Sequence, residues 1–307
     1  MSLETDLLLD RRRLKRRLVF WRSLAVLAMT VALTILTRGT GFSVGGAHVA
    51  RLTVAGMITE DRKLTEAIDK LADDASVKAL IVAVNSPGGT VSGGESLHNA
   101  IRRVAARKPV VTVMGGLAAS AGYMVSVPAH RIFARESTIT CSIGVLLETG
   151  EASALMDKIG LSAEAIISGP LKDQPSLTHK LSPEGREVLH GLVMDMFDQF
   201  VALVAAGRHM PAETVRQIGD GHACTGRQAL ALGLIDQIGE EHDARLWLAS
   251  TKAVSADLPV EDVSTTSLAA RTFAGSLGPM FDGLWKVLVS QSVKIDGGLA
   301  IWQPGSH

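Results

Sequence analysis

The sequence predicts an α/β domain built on a mostly parallel sheet, and three observations carry that prediction. Short apolar runs of strand character alternate with stretches of helical period along most of the chain. One run, Ala79–Val84 (ALIVAV), is apolar at every position, as a strand buried on both faces should be. It is followed by Gly94–Ala106, where Leu97, Ile101 and Val104 share one helical face; Lys108-Pro109 stops that helix, and Val110–Met114 is a second apolar run. Strand, helix and strand in that order form a βαβ unit with a right-handed crossover and parallel strands.

The remaining elements follow from similar signals. Val49–Val54 reads as a strand and Lys63–Leu71 as an amphipathic helix. Beyond Met114 a helix is predicted from about Ala118, then strands at Arg131–Ala134 and Ile143–Leu147, a helix at Ala152–Ile159 and a strand at Glu164–Ile167. Ser182-Pro183-Glu184 joins an N-cap serine, a proline at the first helical position and an acid in the first turn. That helix is predicted to run to about Ala206, with Val188, Leu192, Met196, Phe200 and Leu203 among its apolar positions. Gly219-Asp220-Gly221 and Gly233–Gly239 punctuate the end of the domain, and residues 251–264 read as a loosely structured tether.

Charge is unevenly spread. The chain has 307 residues and no net charge, yet residues 1–38 hold eight Lys/Arg against three acids. The cluster Arg11–Arg17 precedes an apolar run, Leu18–Thr37, interrupted by Arg22. A run of that length spans a bilayer if Arg22 snorkels, and the positive-inside rule keeps the N-terminus cytoplasmic. No A-x-A-like site follows, which favours an uncleaved signal anchor over a cleaved signal peptide. The predicted organisation is a basic N-terminus (1–17), a transmembrane anchor (18–38), a Gly-rich linker (39–46), the α/β domain (47–250) and a C-terminal tail (251–307). Within the tail, Leu268–Leu288 is apolar but broken by Gly275, Gly278, Pro279 and Gly283, and fits a surface-associated or a docking segment.

Composition excludes some functions. Aromatic residues make up 4% and Tyr123 is the single tyrosine, which argues against the stacking surfaces of single-strand nucleic-acid binders. The nine histidines include no H-E-x-x-H, and no Cys/His spacing suits zinc; no cofactor is predicted. Cys141 and Cys224 are too few for a disulfide framework and read as small buried apolar side chains.

Three segments carry candidate chemistry. Asn85-Ser86-Pro87-Gly88-Gly89 lies at the C-terminal end of the ALIVAV strand, the edge where parallel sheets bind ligands. Its glycines, Gly88 and Gly89, allow close backbone approach and a helix start, hence an oxyanion hole, or simply a tight turn. Gly115–Tyr123 (GGLAASAGY) surrounds Ser120 with small residues at the mouth of a predicted helix, giving a nucleophile access and a favourable dipole, or a close helix–sheet packing site. It is not a G-x-S-x-G elbow. Ser168-Gly169-Pro170-Leu171-Lys172-Asp173 is a Gly/Pro turn that by composition alone carries a solvated lysine.

Together the segments NSPGGTVSGGESLHNAI, KPVVTVMGGLAASAGYMVSVPAHRIFA, STITCSIGV, IISGPLKD and GRQALALGLIDQIG resemble the signal peptide peptidase SppA family, in that family's order, over about Val49 to Ala249. The resemblance implies a ClpP/crotonase-like fold and a serine–lysine dyad. The serine of the family's A-A-S-G-G-Y motif falls on Ser120, the catalytic nucleophile. The lysine of S-G-x-x-K-D falls on Lys172, the general base. The second glycine of P-G-G falls on Gly89, whose N–H would form the oxyanion hole with that of Ser120. A serine thought to orient the lysine falls on Ser142. Two positions depart from the family pattern: Ala121 replaces the glycine after the nucleophile, where it would narrow the site, and Cys141 replaces the glycine before Ser142, which makes a cysteine nucleophile conceivable.

No histidine lies between His130 and His179, so a Ser–His–Asp triad is disfavoured. The expected chemistry is attack by Ser120, with Lys172 as a neutral amine taking its proton and returning it to the leaving amine. The resemblance also implies a homo-oligomer of about eight subunits, with serine and lysine from neighbouring protomers. It implies remnant signal peptides and other short hydrophobic peptides as substrates, and a bacterial inner-membrane location with the domain on the periplasmic side. Two other classes fit the same fold: an acyl-CoA enzyme, and an inactive scaffold that binds membrane proteins.

Overall fold

The computed structural model describes residues 20–29 and 46–263. The former are one short helix, α1 (Phe20–Met29), apolar apart from Arg22 and Ser23. The rest of the predicted anchor and linker, and the tail from residue 264, lie outside the described residues. Residues 46–263 fall in one compact unit.

In that unit β1 (His48–Ile58), α2 (Arg62–Asp73), β2 (Val77–Gly89), α3 (Val91–Ala105) and β3 (Val110–Ala118) succeed one another. Helix α2 starts where the Asp61 carboxylate accepts from the Leu64 N–H (3.0 Å), and α3 where the Thr90 hydroxyl accepts from the Gly93 N–H (3.1 Å). Strand β1 pairs in parallel with β2, and β2 with β3. The ALIVAV run is buried on both faces, as its composition demands. Leu80, Val82 and Val84 pack into the larger core with α3 residues Leu97, Ile101 and Val104. Ala79 and Ile81 face the other way, into a smaller core closed by Ala244 and Leu248. Those two residues belong to α9 (Glu241–Lys252).

Strand β3 forks. Val111–Met114 pair with β4 (Arg131–Ala134). Beyond Gly115-Gly116 the chain turns to a second set of partners, where Leu117 pairs with Ile139 of β5 (Ile139–Cys141). Strand β5 pairs antiparallel with β6 (Ala223–Thr225), the exception in an otherwise parallel sheet among the described residues. The sheet order is β6-β5-β3-β2-β1-β8, β8 being Val260–Asp262, with β4 joined to β3 and to β7 (Gln237–Ile238).

Helix α4 (Ala121–Ser126) follows β3, and α5 (Ser153–Lys158) is the one regular element between β5 and α6 (Pro183–Arg208). Helix α6 starts as predicted, the Ser182 hydroxyl accepting from the Gly185 N–H (2.9 Å), and ends on His209 in the left-handed conformation. It is long and apolar enough to cross a bilayer, but Phe200, Val201 and Val204 are built into the main core. Helices α7 (Ala212–Ile218) and α8 (Gly226–Ala231) complete the unit.

Three expectations are corrected. Ile143–Leu147 is not a strand: the strand lies earlier, at Ile139–Cys141, and residues 142–150 have no regular structure. Glu164–Ile167 is not a strand either; it has no regular structure and is exposed throughout. The stretch read as a tether holds β8 (Val260–Asp262), which adds to β1 in parallel and is tied by Arg51 to Asp262 at 2.7 Å.

Candidate active site

Ser120 sits between β3 and α4, with φ 54° and ψ −121°. A non-glycine residue there carries about 1–3 kcal/mol of backbone strain, which the surroundings must hold in place. They do so from three sides. The Ala119 N–H donates to Ser86 O (3.1 Å), and the Ser120 N–H donates to Cys141 O (3.0 Å). The Thr140 hydroxyl donates to Ala118 O (2.7 Å). On the helix side, the N–H groups of Tyr123 and Met124 both donate to Ser120 O (2.9 Å each). The Tyr123 ring is fully buried and its hydroxyl donates to Leu234 O (2.8 Å), which pins α4 in the core.

The result is a sharp strand-to-helix turn without the G-x-S-x-G sequence, made possible by small neighbours. A Cβ added at Gly88 would lie 2.9 Å from Ser120 Cβ, and one at Gly122 would lie 2.9 Å from Ser86 O. The Ala121 methyl does not narrow the site. It is buried against α3, where a Cβ at Gly94 would come within 3.0 Å of it, so Gly94 makes the room that Ala121 uses.

The expected oxyanion hole changes in detail. The Ser120 N–H, assigned to it from the resemblance, points back into the fold and is occupied by Cys141 O. This follows from the strained turn, which directs the Ser120 N–H at the neighbouring strand. The next N–H, of Ala121, is first in α4, and no acceptor for it is found among the described residues. Nor do Gly88 and Gly89 open a helix. They are the last two residues of β2, and Thr90 caps α3 after them. The Gly88 N–H donates to Ser86 Oγ (3.1 Å). Gly89 is in register with Ile58, whose carbonyl accepts from the Thr90 N–H (2.9 Å). Sequence reasoning missed the free Ala121 N–H because it is defined by the Ser120 backbone and not by a side chain.

Ser142 and Cys141 both lie in the left-handed region, at φ 51° and 64°. The Ser142 N–H donates to His222 O (2.9 Å). Cys141 is not a free thiol. It forms a disulfide with Cys224, 83 residues away, both half-cystines being buried. The reading of two unlinked apolar side chains, and with it the cysteine nucleophile, is thereby corrected: the bridge joins β5 to β6, which antiparallel pairing brings together.

Lys172 is exposed, in a turn closed by its own N–H to Gly169 O (3.0 Å). No side-chain hydrogen bond is made by Lys172 Nζ or Ser120 Oγ among the described residues, and none joins them. Beside it, Asp173 accepts from His179 Nε2 (2.7 Å). That partner raises the His179 pKa from its ordinary value. The chain thus brings Ser120, Gly88, Gly89, Ala121, Cys141 and Ser142 together, and leaves Lys172 on a separate exposed segment.

Comparison with known proteins places this arrangement. Residues 102–255 match the model of peptidase family S49. A Synechocystis sp. protein described as a protease is 38% identical over 210 residues, covering 68% of this chain and 76% of that one. Protease 4 of Salmonella typhi is 35% identical over 67% of this chain, which spans only 34% of it, and the chloroplastic serine protease SPPA of Arabidopsis thaliana is 30% identical over 61%. Among solved structures, ClpP1 from Listeria monocytogenes is similar over 63% of this chain and 93% of its own, at 18% identity and a TM-score of 0.41. The chain belongs to peptidase family S49, and with it to the serine-type peptidases.

Proposed function

We propose that this chain is a membrane-anchored serine endopeptidase in which Ser120 is the nucleophile and Lys172 of a neighbouring copy is the general base. The strained backbone at Ser120 is the observation that carries the reading. Strain of that kind is held at a nucleophile so that its oxygen stands clear of the sheet at a helix mouth. Ser120 attacks the scissile carbonyl, and the N–H groups of Gly89 and Ala121 receive the oxyanion. Lys172 takes the serine proton and returns it to the leaving amine, after which water clears the acyl-enzyme. Ser142 orients the lysine.

The second copy is supported by the surface around Lys172. Between residues 144 and 182 no residue is buried, and Leu146, Leu155, Ile159, Leu161, Ile166 and Leu177 are all more than half exposed. An apolar surface of that extent calls for a cover, and a homo-oligomer, for which the family resemblance suggests about eight subunits, supplies one. The same cover would desolvate Lys172, as a neutral lysine base requires. Short hydrophobic peptides, remnant signal peptides among them, suit a site bordered by such a surface. One relative, in Enterococcus faecium, carries the name of a signal peptide peptidase. A periplasmic domain behind an anchor at residues 18–38 agrees with the disulfide, since such bonds persist in oxidising compartments.

Co-expression tests both assignments. Ser120→Ala and Lys172→Ala each lower peptide turnover about 10⁴-fold. Mixed oligomers of the two variants recover about a quarter of wild-type activity, because random mixing pairs an intact serine with a neighbour's intact lysine that often. Full activity of Ser120→Ala would remove the nucleophile assignment. Two inactive variants that never complement would place both groups in one subunit.

A further inference from the structure

The geometry points to the Cys141–Cys224 disulfide as a positioning device for the nucleophile, such that the peptidase works in its oxidised form and loses turnover when the bond is reduced. The inference rests on the reading of Ser120 as the nucleophile and adds to it a control exerted from β6.

Four observations converge on this bond. The Cys141 carbonyl is the acceptor for the Ser120 N–H (3.0 Å), one of the bonds that hold the strained turn. Cys141 itself lies at φ 64° and Ser142 at φ 51°, two consecutive non-glycine residues in a region that favours glycine. The backbone carrying that carbonyl therefore leans toward other conformations unless it is restrained. Its strand pairing is short: β5 is three residues long, meets β3 through the single pair Leu117–Ile139 and the Thr140 hydroxyl bond to Ala118 O, and otherwise pairs with β6. Strand β6 is itself three residues long and forms the edge of the sheet, entered through Gly219-Asp220-Gly221.

The disulfide closes this arrangement covalently at the residue whose carbonyl meets Ser120. It also fixes the neighbouring contact, because the Ser142 N–H donates to His222 O (2.9 Å), two residues before Cys224. One bond thus holds the acceptor behind the nucleophile and the backbone of the serine expected to orient the lysine. Neither half-cystine touches substrate in this arrangement; both act through the main chain.

Reduction is a balanced exchange. A dithiol gives up two electrons and two protons, the S–S bond breaks, two thiols form, and the reductant closes to its own disulfide. Freed from Cys224, Cys141 relaxes from φ 64°, its carbonyl leaves the Ser120 N–H, and the Ser120 turn loses one of its supports.

The test uses the full chain in detergent and an internally quenched apolar peptide. Dithiothreitol treatment, with freed thiols counted, and Cys141→Ser/Cys224→Ser both lower kcat by about 10- to 100-fold while KM stays within about twofold, as expected when a nucleophile is displaced by a fraction of an ångström. Cys141→Gly/Cys224→Ala recovers kcat to within about threefold of wild type, because glycine holds a positive φ without help. That rescue separates positioning from bulk stabilisation, which glycine would not restore, and it decides the matter alone if the serine pair does not fold. Wild-type kcat in a folded serine pair, or a folded Gly/Ala variant as slow as the serine pair, overturns the inference. Loss of the nucleophile reading itself is distinguished by Ser120→Ala, which in that case keeps its activity whatever the cysteines do.

Discussion

Residues 46–143 and residues 144–181 are built to different standards. In the first region each strand and helix has partners within the chain, and the strained turn at Ser120 is bonded on three sides. The second region has one short helix, α5, no buried residue, and Ile166 fully exposed. Polar loops are ordinarily found where a chain has no core; this one has none, yet exposes Leu146, Leu155, Ile159, Leu161, Ile166 and Leu177. The difference teaches where a single copy is finished. The Ser120 turn is organised by local folding, whereas the segment carrying Lys172 leaves large apolar side chains exposed.

The largest effect that sharpens this contrast comes from one substitution made in both regions. Gly88 has φ 120°, and a Cβ there would lie 2.9 Å from Ser120 Cβ and 3.2 Å from its Oγ. Gly160 has φ 72° and open space around it. Both alanine variants carry backbone strain, but only Gly88→Ala pushes on Ser120. Gly88→Ala is expected to lower kcat about 100-fold, with Gly160→Ala close to wild type, measured side by side on the same peptide. Equal losses would mean that backbone strain alone accounts for the effect, and the distinction between the regions would fail.

A smaller effect is expected from the second region. Ile166→Asp places a charge on the exposed apolar surface while disturbing nothing that the chain itself packs. Light scattering should find a smaller assembly, peptide turnover should fall about tenfold, and the melting temperature of the isolated subunit should be unchanged. An assembly of wild-type size would show that this surface is covered by something other than a second copy.

The two regions were also unequally legible in the sequence. ALIVAV, Lys108-Pro109 and Ser182-Pro183-Glu184 announce β2, β3 and α6 because burial on both faces, a stop and a cap are each written in consecutive residues. Strands β5 and β6 were missed, since three-residue strands leave no periodicity to read. The run from Ile143 to Leu147 misled for a physical reason: apolarity signals burial, and here Leu146 is 83% exposed in the isolated chain. The edge strand β8 was lost because Val260–Asp262 pairs on one side only and two of its three residues are acidic. At the site, the family resemblance drew attention to Ser120 and Gly89. That the Ser120 N–H turns inward to Cys141 O depends on a backbone angle that no side chain encodes. The disulfide depends on a topology that brings together residues 83 positions apart.

The smallest expected effect lies beneath the finished region and concerns pH. His98 on α3 is buried, and its Nδ1 bonds Met124 O (2.9 Å) on α4, the helix that carries Ser120 at its mouth. Burial pushes the His98 pKa down from 6.5. The Met124 carbonyl opposes that shift, Arg102 adds to it, and Glu95 partly offsets it. In the folded chain the ring is therefore neutral where the unfolded chain has begun to take up a proton. Stability from this group is complete above the unfolded value of 6.5 and declines as pH falls below it, because the unfolded state binds the extra proton. Asparagine at this position keeps a donor for the Met124 carbonyl but does not titrate. Between about pH 7.5 and about pH 5 the melting temperature of His98→Asn should fall by about 2 °C less than that of wild type. Identical pH dependence in the two proteins would show that His98 is already charged in the folded state, and that the floor under the nucleophile tolerates a charge its burial argues against.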